Sequence, residues 1–226
     1  MITNNTYYIN ELYIPHAKPS VSSDVTTVSA ELDSFIDDYE RECLIKSLGF
    51  QLTTLFYDEL DLLQPNFLKV TADSKWDDLL NGKTYTNKNG DLVSWRGIRY
   101  KNVPSAEYNR SFLANYVFYN YESNADVFRT GVGYVKGKAK NAEERSPAPR
   151  AINAFRKMVD MIQGREFKKE IIESRFGYGV DYYYENGEVT LYQFIRDIND
   201  TVADTYPNFK PGKWNVYKNQ FGIWAK

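Results

Sequence analysis

The chain has 226 residues, of which 42% are hydrophobic and 26% charged, with a formal net charge of −2. That apolar content excludes a disordered chain, and the near-balanced charge excludes a protein that coats nucleic acid along its whole surface. One cysteine and one histidine exclude a disulfide framework and an ordinary zinc site, which needs about four such ligands.

Residues 1–28 have no helical period and mix Tyr7, Tyr8 and Tyr13 with Ser/Thr clusters, Pro15 and Pro19. They read as an extended N-terminal arm whose aromatics dock on a surface. A first helix is expected over about 30–48, with Leu32, Phe35, Ile36, Tyr39 and Cys43 on one face. Its other face is acidic: Glu31, Asp33, Asp37, Asp38, Glu40 and Glu42. Gly49 ends that helix, and a second is expected over about 50–63, closed by Pro65. Cys43 reads as a buried, inert thiol.

A short helix is expected over 74–81, with Ser74 as N-cap and Gly82 just past its end. Asn89-Gly90 between β-formers then signals a hairpin at about 84–96 with a two-residue primed turn. A third long helix is expected over about 105–122, with Tyr108, Phe112, Leu113, Tyr116, Val117 and Tyr119 forming an aromatic face. Residues 130–142, rich in Gly and Lys, read as a loop. Ser146-Pro147 opens a helix expected to run to about Arg175, with Gly164 a weak point, and Thr190-Leu191-Tyr192-Gln193 is a capping box that opens the last helix. Residues 207–226 hold Phe209, Trp214, Tyr217, Phe221 and Trp224 with four lysines and no acid. This C-terminal tail packs on a neighbour or on its own domain.

Catalytic groupings are sparse. His16, the only histidine, lies in the arm, so a Ser-His-Asp or Cys-His arrangement would hang on that segment. Asp197, Asp200 and Asp204 share one helical face, yet a two-metal nuclease needs its carboxylates inside a cleft, and a plain polar face fits better. The Gly131–Lys138 stretch lacks the Gly-Lys-Ser/Thr ending of a phosphate loop. Lys136, Lys138 and Lys140 could still touch a DNA backbone through charge alone. No enzyme activity, cofactor or metal is expected. No apolar run approaches the roughly 18 residues that span a bilayer, and the polar start is no signal peptide, so synthesis in a cytoplasm is expected.

Assembly is better served. Nineteen Tyr, thirteen Phe and four Trp make an aromatic share of 16%, the kind of side chain that buries well against partners. Residues 1–63 carry eleven acids against three bases, and the remainder nineteen against twenty-five, so one region is acidic and the other basic. Stacked or head-to-tail assembly uses such asymmetry. Partner-interface candidates are Tyr7, Tyr8, Asp37, Asp38, Trp214, Tyr217, Phe221 and Trp224.

The helix Leu32–Leu48 ending in Leu48-Gly49-Phe50 is followed in order by Lys75-Trp76-Asp77-Asp78-Leu79-Leu80-Asn81-Gly82, the Trp95-Arg96-Gly97-Ile98 corner, the helix Phe112–Tyr119 and Thr130-Gly131-Val132. In that order, over about residues 28–165, the chain resembles the head–tail connector (adaptor) proteins of tailed phages, and within them the neck ring proteins of crAss-like phages. The resemblance implies a mainly α helical bundle with a small inserted hairpin. It implies a structural virion protein, without catalytic residues, whose homo-oligomeric and usually dodecameric ring joins the portal protein to an adjacent neck or tail protein around the DNA channel. The organisation expected is an arm (1–28), a helical connector domain (29–206) and an aromatic, basic tail (207–226), with both arms packing on neighbouring subunits. A non-catalytic carbohydrate- or protein-binding module and a small phage nuclease are the rival expectations.

Overall fold

The computed structural model describes residues 1–15, 17, 23–64, 67–100, 111–125, 128–130, 133–135, 148–164 and 187–214. The fold is mainly α with a small inserted hairpin, as expected. Its helices are α1 (Ser23–Leu48), α2 (Phe50–Asp58), α3 (Ser74–Asn81), α4 (Phe112–Ala125), α5 (Ala148–Gln163) and α6 (Leu191–Thr201). An antiparallel pair, β1 (Lys83–Thr86) and β2 (Leu92–Trp95), stands between α3 and α4. A second, β3 (Phe128–Thr130) with β4 (Gly133–Val135), occupies part of the stretch expected as a loop.

The bundle is built around α4. Every residue from Ser111 to Asn120 is buried, so this helix has no solvent face in its first two turns, where an aromatic face alone was expected. A helix apolar all round belongs in the centre of a core. Its two buried asparagines satisfy their amide donors on the helix itself: Asn115 Nδ2 donates to Ser111 O at 2.8 Å and Asn120 Nδ2 to Tyr116 O at 2.9 Å. On one side α4 meets Leu32, Ile36 and Ala154, and on the other Leu44, Leu48, Met158, Val159 and Ile162 join a larger cluster with Trp76, Trp95, Phe194 and Trp214.

Local chemistry explains several boundaries. The N-cap of α3 is Asp73, one residue before the expected Ser74, because the Asp73 carboxylate accepts from Lys75 N. The carbonyls of Leu79 and Leu80 accept from Ile98 N and Arg99 N at 3.1 Å, so the Trp95–Ile98 corner closes the end of α3. Gly97 is required there: its φ is +84°, and a Cβ would lie 2.5 Å from the Asn81 carbonyl carbon. The β1–β2 connection is not a two-residue primed turn. Thr86 pairs with Leu92 across a five-residue loop, and Asn87 Oδ1 organises it by accepting from Asn89 N and Asp91 N. Only Gly90 in that loop has a positive φ.

Four helices differ in length from expectation, α4 among them, since it starts at Phe112 after the non-helical Ser111 and runs to Ala125. The first turns of α1 lie inside the stretch assigned to the arm. Helix α2 stops at Asp58 because Leu60 instead bridges Leu68, and α5 stops at Gln163, where Gly164 takes φ +73°. The expected continuation to Arg175 lies outside the described residues, as do Pro65 and Tyr108. Thr190 caps α6 by accepting from Gln193 N at 3.3 Å, but Gln193 reaches forward to Asp197 rather than back to the cap, so only half of the capping box forms.

Candidate functional site

The N-terminal segment is docked on its own chain. Ile2, Tyr7, Tyr8, Leu12 and Ile14 are all buried, the last four against Leu32, Ile36 and Phe118. Its main polar anchor is Glu40, which the helical period placed on the solvated acidic face but which is 1% exposed. Glu40 Oε2 accepts from Ile2 N at 2.8 Å, and Oε1 accepts from Thr3 N at 2.6 Å and from the Thr3 hydroxyl. Burial pushes the Glu40 carboxyl above its ordinary pKa, although each of these donors pulls the other way. Tyr7 and Tyr8 are therefore core residues of this chain, and their expected role as partner anchors is corrected: an aromatic-rich segment finds its apolar surface within the same chain.

The C-terminal segment repeats this outcome with other groups. Trp214 is 1% exposed, packed edge-on against Tyr116 and Phe155 with Lys46 Nζ 4.0 Å from its ring centroid. It too is corrected from partner anchor to core. Lys210 N and Gly212 N donate to Leu48 O and Lys46 O at 3.2 and 2.7 Å, so this segment supplies donors for the last carbonyls of α1. Tyr217, Phe221, Trp224 and the single His16 lie outside the described residues, as do Lys136, Lys138 and Lys140.

Asp37 and Asp38 are exposed, as expected. With Arg41, Ile45, Phe50, Tyr57 and Asp58 they line an open groove of about 420 Å³ between α1 and α2. The carboxylates of α6 do not form a metal cleft. Asp197, expected on a polar face, is buried and accepts from Tyr85 OH at 2.9 Å and Gln193 Nε2 at 2.6 Å, tying β1 to α6. Asp200 pairs with Lys88 at 3.1 Å. Among the described residues, no three His, Cys, Asp or Glu side chains are grouped so as to hold a metal ion, and no helix is long and apolar enough to cross a membrane. Cys43 is buried, which pushes its thiol well above the ordinary range and away from thiolate chemistry.

Two surfaces escaped the sequence reading. The first is the turn after α2, where Leu62 and Leu63 are 91% and 92% exposed; Val70 is exposed too, and Phe67 is half-exposed with the Arg99 guanidinium over its ring. The turn is organised: Leu60 bridges Leu68, Asp61 N donates to Phe67 O at 2.8 Å, and the Asp61 carboxylate accepts from Leu63 N and Gln64 N. Reading helix α2 through to residue 63 hid it, although Asp61 ahead of two leucines is an Asx-turn signal. The second is a groove of about 390 Å³ lined by Glu11, Leu12, Asn115, Arg150, Asn153, Ala154, Arg156 and Lys157. Lys157 pairs with Glu11, and Arg150 donates to Tyr13 O at 2.9 Å while lying over the Phe118 ring. Asn115 Oδ1 is buried there with no hydrogen-bond partner.

No protein-family model, curated protein or solved structure matches this chain.

Proposed function

We propose that this protein is a structural subunit of a tailed-phage neck, a head–tail connector that forms a homo-oligomeric ring between the portal and the next neck or tail component. The observation that carries the reading is the turn at Leu62–Leu63: a helical body presents large aliphatic side chains to water on a hydrogen-bonded turn. Exposed aliphatic side chains held in one geometry belong to a contact surface, because leaving them in water gains nothing for the monomer. The ordered landmarks of the connector likeness support the same reading. Gly49, the α3–Gly82 end and the Trp95–Ile98 corner all sit at joints of the folded body, where a shared architecture would need them.

In this reading Asp37, Asp38 and the α1–α2 groove give the ring an acidic surface suited to a basic neighbour. The ring is made and assembled in the host cytoplasm and resides in the virion neck, and Lys136, Lys138 and Lys140 meet the DNA backbone. The test is direct. The purified full chain, alone and mixed with the portal protein of the same phage, is weighed by light scattering and imaged by electron microscopy. Closed rings are expected in at least one of the two conditions. A monomer in both, with no binding to the portal, overturns the proposal.

A further inference from the structure

The Leu62–Leu63 turn takes its shape from itself and its place from elsewhere. The backbone N–H groups of Asp61, Leu63, Gln64, Phe67 and Lys69 all donate to acceptors within residues 59–67. These bonds fix the outline of the turn but tie it to nothing outside. Side chains make the tie: Leu60 lies in the core, Leu68 packs against it, and Phe67 lies under Arg99, whose guanidinium carbon is 5.6 Å from the ring centroid. Arg99 is itself fixed at the backbone, where its N–H donates to Leu80 O at the end of α3. Its side chain also meets the Tyr7 hydroxyl. Burial pushes that hydroxyl above its ordinary pKa, and the hydrogen bond and charge of Arg99 pull the other way. A guanidinium suits both neighbours, since its face stacks on a ring while its edge donates.

Tyr7 is 3% exposed in a cluster with Leu12, Ile14, Leu32 and Ile36, so its hydroxyl keeps its place only while the N-terminal segment is docked. The segment, Tyr7, Arg99, Phe67 and the turn thus form one continuous chain of contacts, the kind of network that carries energetic coupling. With Leu62, Leu63 and Val70 in water, the turn has few buried contacts to hold it otherwise. We infer that Arg99 is the positioning residue of the exposed turn, holding it in its contact geometry while the N-terminal segment is seated. A subunit whose segment is not yet seated then presents a loosened turn, so seating precedes contact with a neighbour. That consequence for assembly rests on the ring reading above, whereas the coupling stands without it.

The test is amide hydrogen exchange on the full chain, read on peptides covering residues 59–69 and, for reference, α6. Tyr7→Phe removes the hydroxyl that meets Arg99 and keeps the packed ring. Exchange over 59–69 should quicken about two- to tenfold, the range of one lost hydrogen bond, with α6 unchanged. Arg99→Met, which keeps a long stem, should quicken it at least as much, and in that background Tyr7→Phe should add nothing. Should Arg99→Met fail to fold, Phe67→Leu breaks the other end of the link and should likewise abolish the Tyr7→Phe effect. An unchanged turn in Tyr7→Phe overturns the inference. So does an effect that persists without the guanidinium or the Phe67 ring, or one that spreads equally to α6, which is global destabilisation. Ring formation is followed on the same proteins, and Tyr7→Phe should raise the concentration that rings require. Rings indifferent to a loosened turn would overturn the role of Arg99 in assembly. A wild type that forms no ring in any condition would remove the ring reading, while the exchange data decide the coupling by themselves.

Discussion

At the N-terminal end of the described chain, Ile2 and Thr3 give their backbone N–H groups to one buried carboxylate, Glu40. At the C-terminal end the backbone is gripped by neutral amides instead. Asn199 Oδ1 accepts from Tyr206 N at 2.8 Å while its Nδ2 donates to Tyr206 O at 3.1 Å, and Gln163 does the same for Trp214 at 3.0 and 2.8 Å. An amide carries a donor and an acceptor, so one side chain satisfies both backbone groups of a residue and needs no charge. A carboxylate offers acceptors only, and burying it sets its hydrogen bonds against the cost of desolvation. Two segments that look alike in sequence, each aromatic and each without helical period, are thus fastened by chemistries that respond differently to pH, the first to a carboxylate of α1 and the second to amides of α5 and α6.

The largest effect should come from Trp214. Its replacement by alanine empties a site bounded by Tyr116, Phe155 and Lys46 and should cost about 3–5 kcal/mol in urea unfolding, by lost burial and the cavity left behind. An effect below about 1 kcal/mol, the size of an ordinary surface change, would mean that the hydrogen bonds of the segment, and not its indole, hold it in place.

Glu40 should come next and should sharpen the contrast. Glu40→Ala leaves two buried N–H donors without an acceptor, a loss of about 2–3 kcal/mol at neutral pH. The pH dependence then separates the two anchors. Because the folded-state pKa of Glu40 lies above its ordinary value of 4.5, the folded chain holds more protons than the unfolded chain between those two values. Stability from this group therefore falls as pH rises through that window and recovers on acidification. Measured against Glu40→Gln, which cannot titrate, the wild type should gain relative stability as the pH is lowered from 7 toward 4.5. The wild-type difference from Trp214→Ala should stay flat over the same range. A flat Glu40→Gln difference would break the contrast.

What was legible in the sequence follows the same division between local and distant chemistry. Helix positions, the α3 end at Gly82, the β1–β2 hairpin and the buried Cys43 were readable because period, caps and turn residues act over a few positions. Glu40 was not, because its fate is set by Ile2 and Thr3, 38 and 37 residues away, and the helical pattern around it is that of any acidic face. Asp197 was misread for the same reason, its partner Tyr85 being 112 residues distant. Tyr7, Tyr8 and Trp214 announced burial correctly but not whose surface would bury them. The exposed turn was obscured by its own leucines, which extend the apolar pattern of α2 past the point where the Leu60–Leu68 bridge unwinds it.

The smallest expected effect tests how the Trp214 anchor is divided. Lys46 is exposed, yet its Nζ lies over the indole ring, and its carbonyl separately accepts from Gly212 N. Lys46→Met keeps a long apolar stem and the carbonyl while removing the charge, so it should cost about 0.5–1 kcal/mol, the range of a cation–π contact at an exposed site. The double-mutant cycle decides whether that loss runs through the ring: in a Trp214→Leu background the Lys46→Met effect should fall to near zero. An undiminished effect there would mean that Lys46 acts on the end of α1 rather than on the indole. The C-terminal joint would then rest on apolar burial and uncharged hydrogen bonds, from the amides and from Lys210 N and Gly212 N to the end of α1, and its difference from the carboxylate-held N-terminal segment would be complete.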